Sequence, residues 1–245
     1  MSLGRGNVLD VGRIGVTREE LPPLPDAALT DREAGRLDPR WWFAHPDRPF
    51  EIEIGPGKGA FLVNQCPAAP GVNYLGIEWE GEIYAYAADR LRRRGVDNCR
   101  MLHGDANEFL RWRCPAAIAR VVHLYFSDPW PKTKHHKNRV VQDRFLAEIH
   151  RVLTPGGELR VVTDHDELWD WDEQHFARWT MPLPPDVLTM VAAISPGITA
   201  ATPPYRRQEF VPPDWVGEGE VVGTNYERKF TNRDKRPHAC VLVKV

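Results

Sequence analysis

The chain of 245 residues predicts an α/β domain: a mostly parallel sheet with helices on both faces and an antiparallel C-terminal strand. Three observations predict it. From Phe50 to about Val162, β-rich apolar runs alternate with runs of helical period, the rhythm of strand, crossover helix and strand. A glycine-rich turn joins the first of these strands to the first helix. The final residues, His238 to Val245, return to a strand pattern that can add antiparallel at a sheet edge.

Taken in order, residues 1–49 form an N-terminal segment with little commitment to structure. Its first thirty residues mix Gly and Arg with a Leu-Pro-Pro-Leu-Pro stretch and are expected to be loose or extended. Thr30 as N-cap, with Glu33 after it, predicts a short amphipathic helix toward Trp41 and Trp42 that Pro46 and Pro49 end. Residues 50–245 then form the main domain. Its strands are expected at Phe50–Gly55, Val72–Trp79, Cys99–His103, Arg120–Ser127 and Glu158–Thr163. Helices are expected at about Lys58–Gln65, Gly81–Arg94, Ala106–Arg111 and Val140–Leu153. The last places Val141, Phe145, Ile149 and Val152 on one face, and Pro155, Gly156 and Gly157 stop it. Proline-dense residues 181–215 read as an irregular insertion holding a short strand or helix. Beyond it, Glu220–Phe230 and His238–Val245 read as two strands joined by a basic turn.

Composition narrows the class. Hydrophobic residues make up 42% of the chain, enough for a sizeable core. A net charge of −2 excludes a generally polyanion-coating protein, so nucleic-acid contact must come from local basic patches. The cysteines Cys66, Cys99, Cys114 and Cys240 form no close pair and suit a reducing compartment, with the cytoplasm expected. Residues Met1 to Asp10 lack an apolar signal core, and no stretch nears the roughly 18 apolar residues of a membrane span. His135 and His136 are adjacent without partners at ligand spacing, so no metal site is expected.

The chemistry-bearing residues lie at strand ends. Glu53-Ile-Gly55-Pro-Gly57-Lys-Gly59 follows an apolar strand and opens a helix, so its glycines let a ligand lie against backbone. The spacing differs from the Gly-x-Gly-x-x-Gly of dinucleotide enzymes, which disfavours a nicotinamide dehydrogenase. Glu78 closes the second strand, where a carboxylate can hold ribose hydroxyls, and Asp105 closes the third. Asp105 could equally serve as a helix N-cap. After the fourth strand comes Phe-Ser-Asp128-Pro-Trp-Pro-Lys132-Thr-Lys134-His135-His136-Lys137-Asn138-Arg139. One acid at a pocket mouth is followed by four cations able to hold a polyanion.

Glu-Ile-Gly-Pro-Gly-Lys-Gly, Gly-Ile-Glu, Phe-Ser-Asp-Pro-Trp-Pro-Lys and Thr224-Asn-Tyr-Glu227, in this order, resemble the tRNA (guanine-N7-)-methyltransferase family. The resemblance covers roughly residues 50–165 and 220–245. It implies a Rossmann-like class I methyltransferase fold and S-adenosyl-L-methionine as cofactor. It also implies a tRNA substrate, with guanine-46 of the variable loop as the target. By the same resemblance Glu53, Gly55, Gly57, Gly59, Glu78, Asp105 and Asp128 line the cofactor site, with Asp128 catalytic. Lys132, Asp164, Thr224, Asn225, Tyr226 and Glu227 match substrate-contacting positions, and Lys134, His135, His136, Lys137, Asn138 and Arg139 match the RNA-contacting loop. The family usually has a continuous Lys-Arg-Arg run where this chain has Lys137-Asn138-Arg139.

The implied reaction needs no nucleophilic side chain. Guanine N7 carries an in-plane lone pair and no proton, so alignment and desolvation dominate over general-base catalysis. A carboxylate near the ring, Asp128, would stabilise the positive charge that develops on the purine. Acceptors such as Asp164 and Glu227 could read the N1 and N2 donors of guanine and reject adenine. Two other readings fit parts of the pattern. One is an RNA-binding scaffold or non-catalytic subunit; the other is an exocyclic amino methyltransferase, whose Asp-Pro-Pro-Tyr loop Ser127-Asp128-Pro129-Trp130 resembles in part. Monomer and homodimer are both compatible with the sequence.

Overall fold

The computed structural model describes residues 8–224, 226–228 and 236–245. It divides into two units, residues Met1–Pro115 and Ala116–Val245. The first unit holds four strands: β1 (Gly15–Val16), β2 (Phe50–Ile54), β3 (Asn73–Glu78) and β4 (Cys99–His103). They lie in the order β1-β4-β3-β2, every neighbouring pair parallel. All residues of β2 and β3 are buried, as parallel strands covered on both faces should be.

Helices α1 (Ala60–Ala68), α2 (Gly81–Arg93) and α3 (Ala106–Trp112) alternate with these strands. Helix α2 ends in a paired cap. Val96 N donates to Leu91 O and Gly95 N to Arg92 O, with Gly95 at φ +68°, a left-handed turn that glycine adopts without steric penalty. Arg90, Arg92 and Arg93 in the last turn favour the carbonyl end of the helix dipole.

The second unit holds β5 (Ala119–Tyr125), α4 (Asp143–Val152), β6 (Leu153–Thr163), α5 (Asp166–Trp179), α6 (Pro185–Val191), β7 (Tyr205–Gln208) and β8 (His238–Lys244). Strand β5 is parallel to β6, while β8 runs antiparallel to both β6 and β7. Residues 181–215 supply the short helix α6 and the short strand β7, as the insertion predicted. No helix of the described residues is long and apolar enough to cross a membrane.

Four sequence expectations differ from the structure. The first thirty residues are not all loose: β1 pairs with β4, and Thr17 and Glu20 close a capping box around a short turn. Residues 30–42 form separate 3-10 turns, Arg32–Gly35 and Pro39–Trp42, and Asp31 rather than Thr30 caps the first of them. Gly35 and Pro39 interrupt any longer helix. Helix α4 stops at Val152, before Pro155. Leu153 already pairs with Ala119, and the register jumps so that Val121 faces Glu158, which leaves Thr154–Gly157 as an irregularity within β6. The strand expected over Glu220–Phe230 does not form among the described residues; Tyr226–Arg228 is helical. Its cause is local: Glu227 draws the N–H groups of Val221, Val222 and Gly223 onto one carboxylate, so they are not available to a ladder. The basic turn after it lies outside the described residues.

Candidate active site

The first unit carries the glycine loop. Gly55, Gly57 and Gly59 stand at φ +65°, +54° and +67°, conformations that a side chain disfavours. A Cβ added at Gly55 or Gly57 would meet nothing within 4 Å. The loop backbone therefore faces open space where a ligand can approach.

Glu78 organises this loop. Its Oε2 accepts from Gly57 N at 2.9 Å and its Oε1 from Glu80 N at 3.0 Å. Glu53, one strand away, is fully enclosed, and its Oε2 has no hydrogen-bond partner among the described residues. Burial, with the nearby Glu78 carboxylate, pushes the Glu53 carboxyl up to about 8. A buried carboxyl left without a donor is costly unless a ligand completes it. The set fits a cationic nucleoside: open glycine backbone, a carboxylate fixed at the next strand end, and an unsatisfied acid beneath them. Asp105 sits at the end of β4, where its Oδ1 accepts from Asn107 N at 2.7 Å and Glu108 N at 3.3 Å. The N-cap role is thus real, and it fixes the carboxylate at the sheet edge.

The second unit carries the acid and the basic loop. Asp128 is exposed and lies between two residues of left-handed backbone, Phe126 at φ +53° and Trp130 at φ +42°. Such conformations in bulky residues persist only where surroundings impose them, and they concentrate at functional sites. Phe126 N is held by Val162 O at 2.7 Å, and the Trp130 ring meets His135 edge-on at 5.9 Å. The ring of Tyr226, half exposed, lies 5.1 Å from that of Phe126. Its hydroxyl is held above the usual range by burial and then by the Asp164 and Asp128 carboxylates. Asp128, Asp164 and Tyr226 are therefore one electrostatic neighbourhood.

Residues Thr133–Asn138 form a 3-10 turn that presents Lys134, Lys137 and Asn138, with Lys132 preceding it, to solvent. His135 and His136 are half-buried. Arg139 departs from this group. It is 2% exposed, donates from Nε to Pro129 O at 3.0 Å and from a terminal nitrogen to Glu167 Oε1 at 2.7 Å, and stacks on Trp171 at 5.3 Å. Its expected place among the RNA-facing cations does not match this burial; it braces the loop from behind. The bracing residues Glu167 and Trp171 escaped sequence reasoning because the helix that carries them, α5, was itself not foreseen.

Glu227 is also enclosed. Its carboxylate accepts from Val222 N and Gly223 N at 2.8 Å each and from Val221 N, while its own N–H meets Thr224 Oγ1 at 3.1 Å. Thus it shapes the segment beside Tyr226, in place of the expected acceptor for a base edge. Asn225 lies outside the described residues. Among the described residues no cluster of metal-ligating side chains occurs.

A family model described as "Putative methyltransferase" matches residues 47–181. The tRNA (guanine-N(7)-)-methyltransferase of Geobacillus thermodenitrificans is 30% identical over 229 residues, covering 93% of this chain and 94% of the relative. The chain belongs to this family. A second relative with the same description, from Nitrobacter hamburgensis, is 39% identical over 155 residues, which cover 63% of this chain and 60% of that protein. Among solved structures, the 16S rRNA methyltransferase KamB matches the fold with a TM-score of 0.50 at 14% identity, covering 91% of this chain and 94% of that one. The family member described here is an S-adenosylmethionine-dependent methyltransferase with a class I fold.

Proposed function

We propose that the enzyme transfers the methyl group of S-adenosyl-L-methionine to N7 of guanine-46 in the variable loop of tRNA, in the cytoplasm. The observation that carries this reading is the acid pair Glu53 and Glu78 beneath an open glycine loop, one acid unsatisfied and the other locked to the loop backbone. Four buried cysteines, none of them in a disulfide, are compatible with a reducing compartment.

When bound, the cofactor supplies an electrophilic methyl group on a sulfonium. Glu53, Gly55, Gly57 and Glu78 would hold its charged and ribose portions, and Asp105 its base. Asp128 stabilises the cation that develops on the purine as N7 shares its lone pair; no proton has to leave. Asp164 presents an acceptor and Tyr226 an aromatic face to the guanine. Lys132, Lys134 and Lys137 hold the phosphate backbone.

The test is incubation of unmodified tRNA with labelled donor, followed by nucleoside mapping. The expected product is 7-methylguanosine at the variable-loop guanine, with Asp128→Ala lowering turnover at least about a hundredfold, the scale of losing one aligned electrostatic group. A different methylated nucleoside, or near-normal turnover in the variant, would reject this assignment.

A further inference from the structure

The acids at the ends of β2, β3 and β4 do not account for the N-terminal residues folded against the same edge. Strand β1 runs parallel to β4, with Gly15 opposite Met101 and Val16 opposite Leu102. The chain therefore leaves β1 at the end where Glu78 and Asp105 lie. Gly15 permits this docking, since a Cβ there would overlap Tyr84 Oη and the Val11 side chain. Beyond it, Glu20 Oε2 accepts from Thr17 N at 2.6 Å, fixing the turn. Further along, Arg113 donates to Pro22 O at 2.7 Å and ties the segment to the residue after α3.

A cleft of about 330 Å³ lies between this strap and the sheet edge, lined by Arg18, Leu21 and Leu24 on one side and by His103, Asp105 and Trp112 on the other. That is the lower end of the size range for small-molecule pockets, and apolar surface from Leu21, Leu24, Phe109 and Trp112 together with the carboxylates of Asp105 and Glu108 suits a flat aminopurine. Asp105 caps α3 through Oδ1, and no hydrogen bond among the described residues engages Oδ2.

Arg18 links strap and strand ends. Its guanidinium lies 5.2 Å from the centroid of the Trp79 ring, and Trp79 O lies 3.2 Å from His103 Nε2. Trp79 directly follows Glu78 and is 63% exposed. An exposed indole fixed through its backbone and by a cation on its ring is a preorganised stacking surface. Glu19 and Glu20 beside Arg18 leave the strap locally acidic, which disfavours a phosphate backbone as its partner.

We propose that residues 15–24 form the outer wall of the pocket for the aminopurine end of the methyl donor, with Arg18 a positioning residue that holds Trp79 as the stacking surface for that purine. The inference rests on the proposed placement of the donor at these strand ends.

Calorimetric titration of Arg18→Ala, Arg18→Lys, Gly15→Val and Glu78→Gln with S-adenosylhomocysteine and with 5′-methylthioadenosine, which lacks the amino-acid end, tests it. Arg18→Ala is expected to weaken both ligands by the same factor, about two- to fivefold, the scale of an exposed cation–π contact. Lysine should restore most of the loss, and Gly15→Val, which displaces the strap without touching Arg18, should reproduce it. Affinity for tRNA alone should not change. Wild-type affinity of Arg18→Ala for both ligands would overturn the proposal, as would a loss confined to S-adenosylhomocysteine. A loss of tRNA affinity with donor binding intact would assign the strap to RNA instead. If Glu78→Gln is equally silent, the donor placement itself fails; if Glu78→Gln weakens binding and Arg18→Ala does not, only the strap assignment fails.

Discussion

Glu78 holds Gly57: the carboxylate at the end of β3 accepts the loop N–H at 2.9 Å, so the loop and the acid that should grip the cofactor are one unit. Glu78→Gln keeps the shape but replaces one oxygen with a donor facing a backbone N–H. Loss of a hydrogen bond to a charged group is worth about 1.5–3 kcal/mol, so S-adenosylhomocysteine should bind roughly 10- to 100-fold more weakly. Calorimetry measures this, and wild-type affinity would separate the loop geometry from cofactor binding.

Glu53 should make stability depend on pH in an unusual direction. Its carboxyl ordinarily titrates near 4.5 and in the fold is pushed up to about 8 by burial and by Glu78. The folded protein keeps a proton that the unfolded chain has released, so ionisation penalises folding. The penalty is absent below about pH 4.5, grows as pH rises, and levels off above about 8, with a ceiling on the order of 5 kcal/mol. Glu53→Gln removes this slope. Urea unfolding measured across pH should give variant and parent the same stability below about pH 4.5 and a difference that widens up to about pH 8, with the variant the more stable; a difference independent of pH would contradict the shift.

The framework that supports both residues was legible in the sequence. Strands at Phe50, Val72 and Cys99 announced themselves as apolar runs, and Glu53, Glu78 and Asp105 stood out as acids where those runs end. What escaped detection was hidden by polarity or by short range. Helix α5 buries Asp172 and His175 along with Leu168 and Phe176, so its inward face does not read as an apolar stripe. The β1 pairing involves only Gly15 and Val16, too short for any periodicity to register. Arg139 looked like its exposed neighbours because charge is visible in a sequence and the Trp171 ring it stacks on is not.

That distinction separates two classes of cation in the basic loop. Alanine at Lys132, Lys134 or Lys137, all exposed, should each reduce the slope of log affinity against log salt by about 0.7–0.9, the share of one phosphate contact. Melting temperature should not move. Arg139→Ala should behave oppositely: it removes the hydrogen bond to Pro129 O and the stacking on Trp171, destabilising by about 2 kcal/mol without lowering the salt slope. A smaller slope with unchanged melting for Arg139→Ala would return that residue to the RNA-facing set.

Glu227 offers the converse case, an acid that resembles a base-reading residue but whose carboxylate serves the backbone. Three successive N–H groups, of Val221, Val222 and Gly223, converge on it, and the side chain is fully buried. Glutamine there can still accept through one oxygen but turns an amide N–H₂ toward the remaining donors. Leaving a buried donor unmatched costs about 1–3 kcal/mol, which should appear as a lowered unfolding midpoint. The Tyr226 ring, packed against Phe126, depends on the same turn, so the Michaelis constant for tRNA should rise while that for the donor holds. Discrimination between guanine and adenine in the acceptor should persist in the variant if the carboxylate is structural. Relaxed discrimination with unchanged stability would mean that Glu227 leaves its backbone partners to read the base directly.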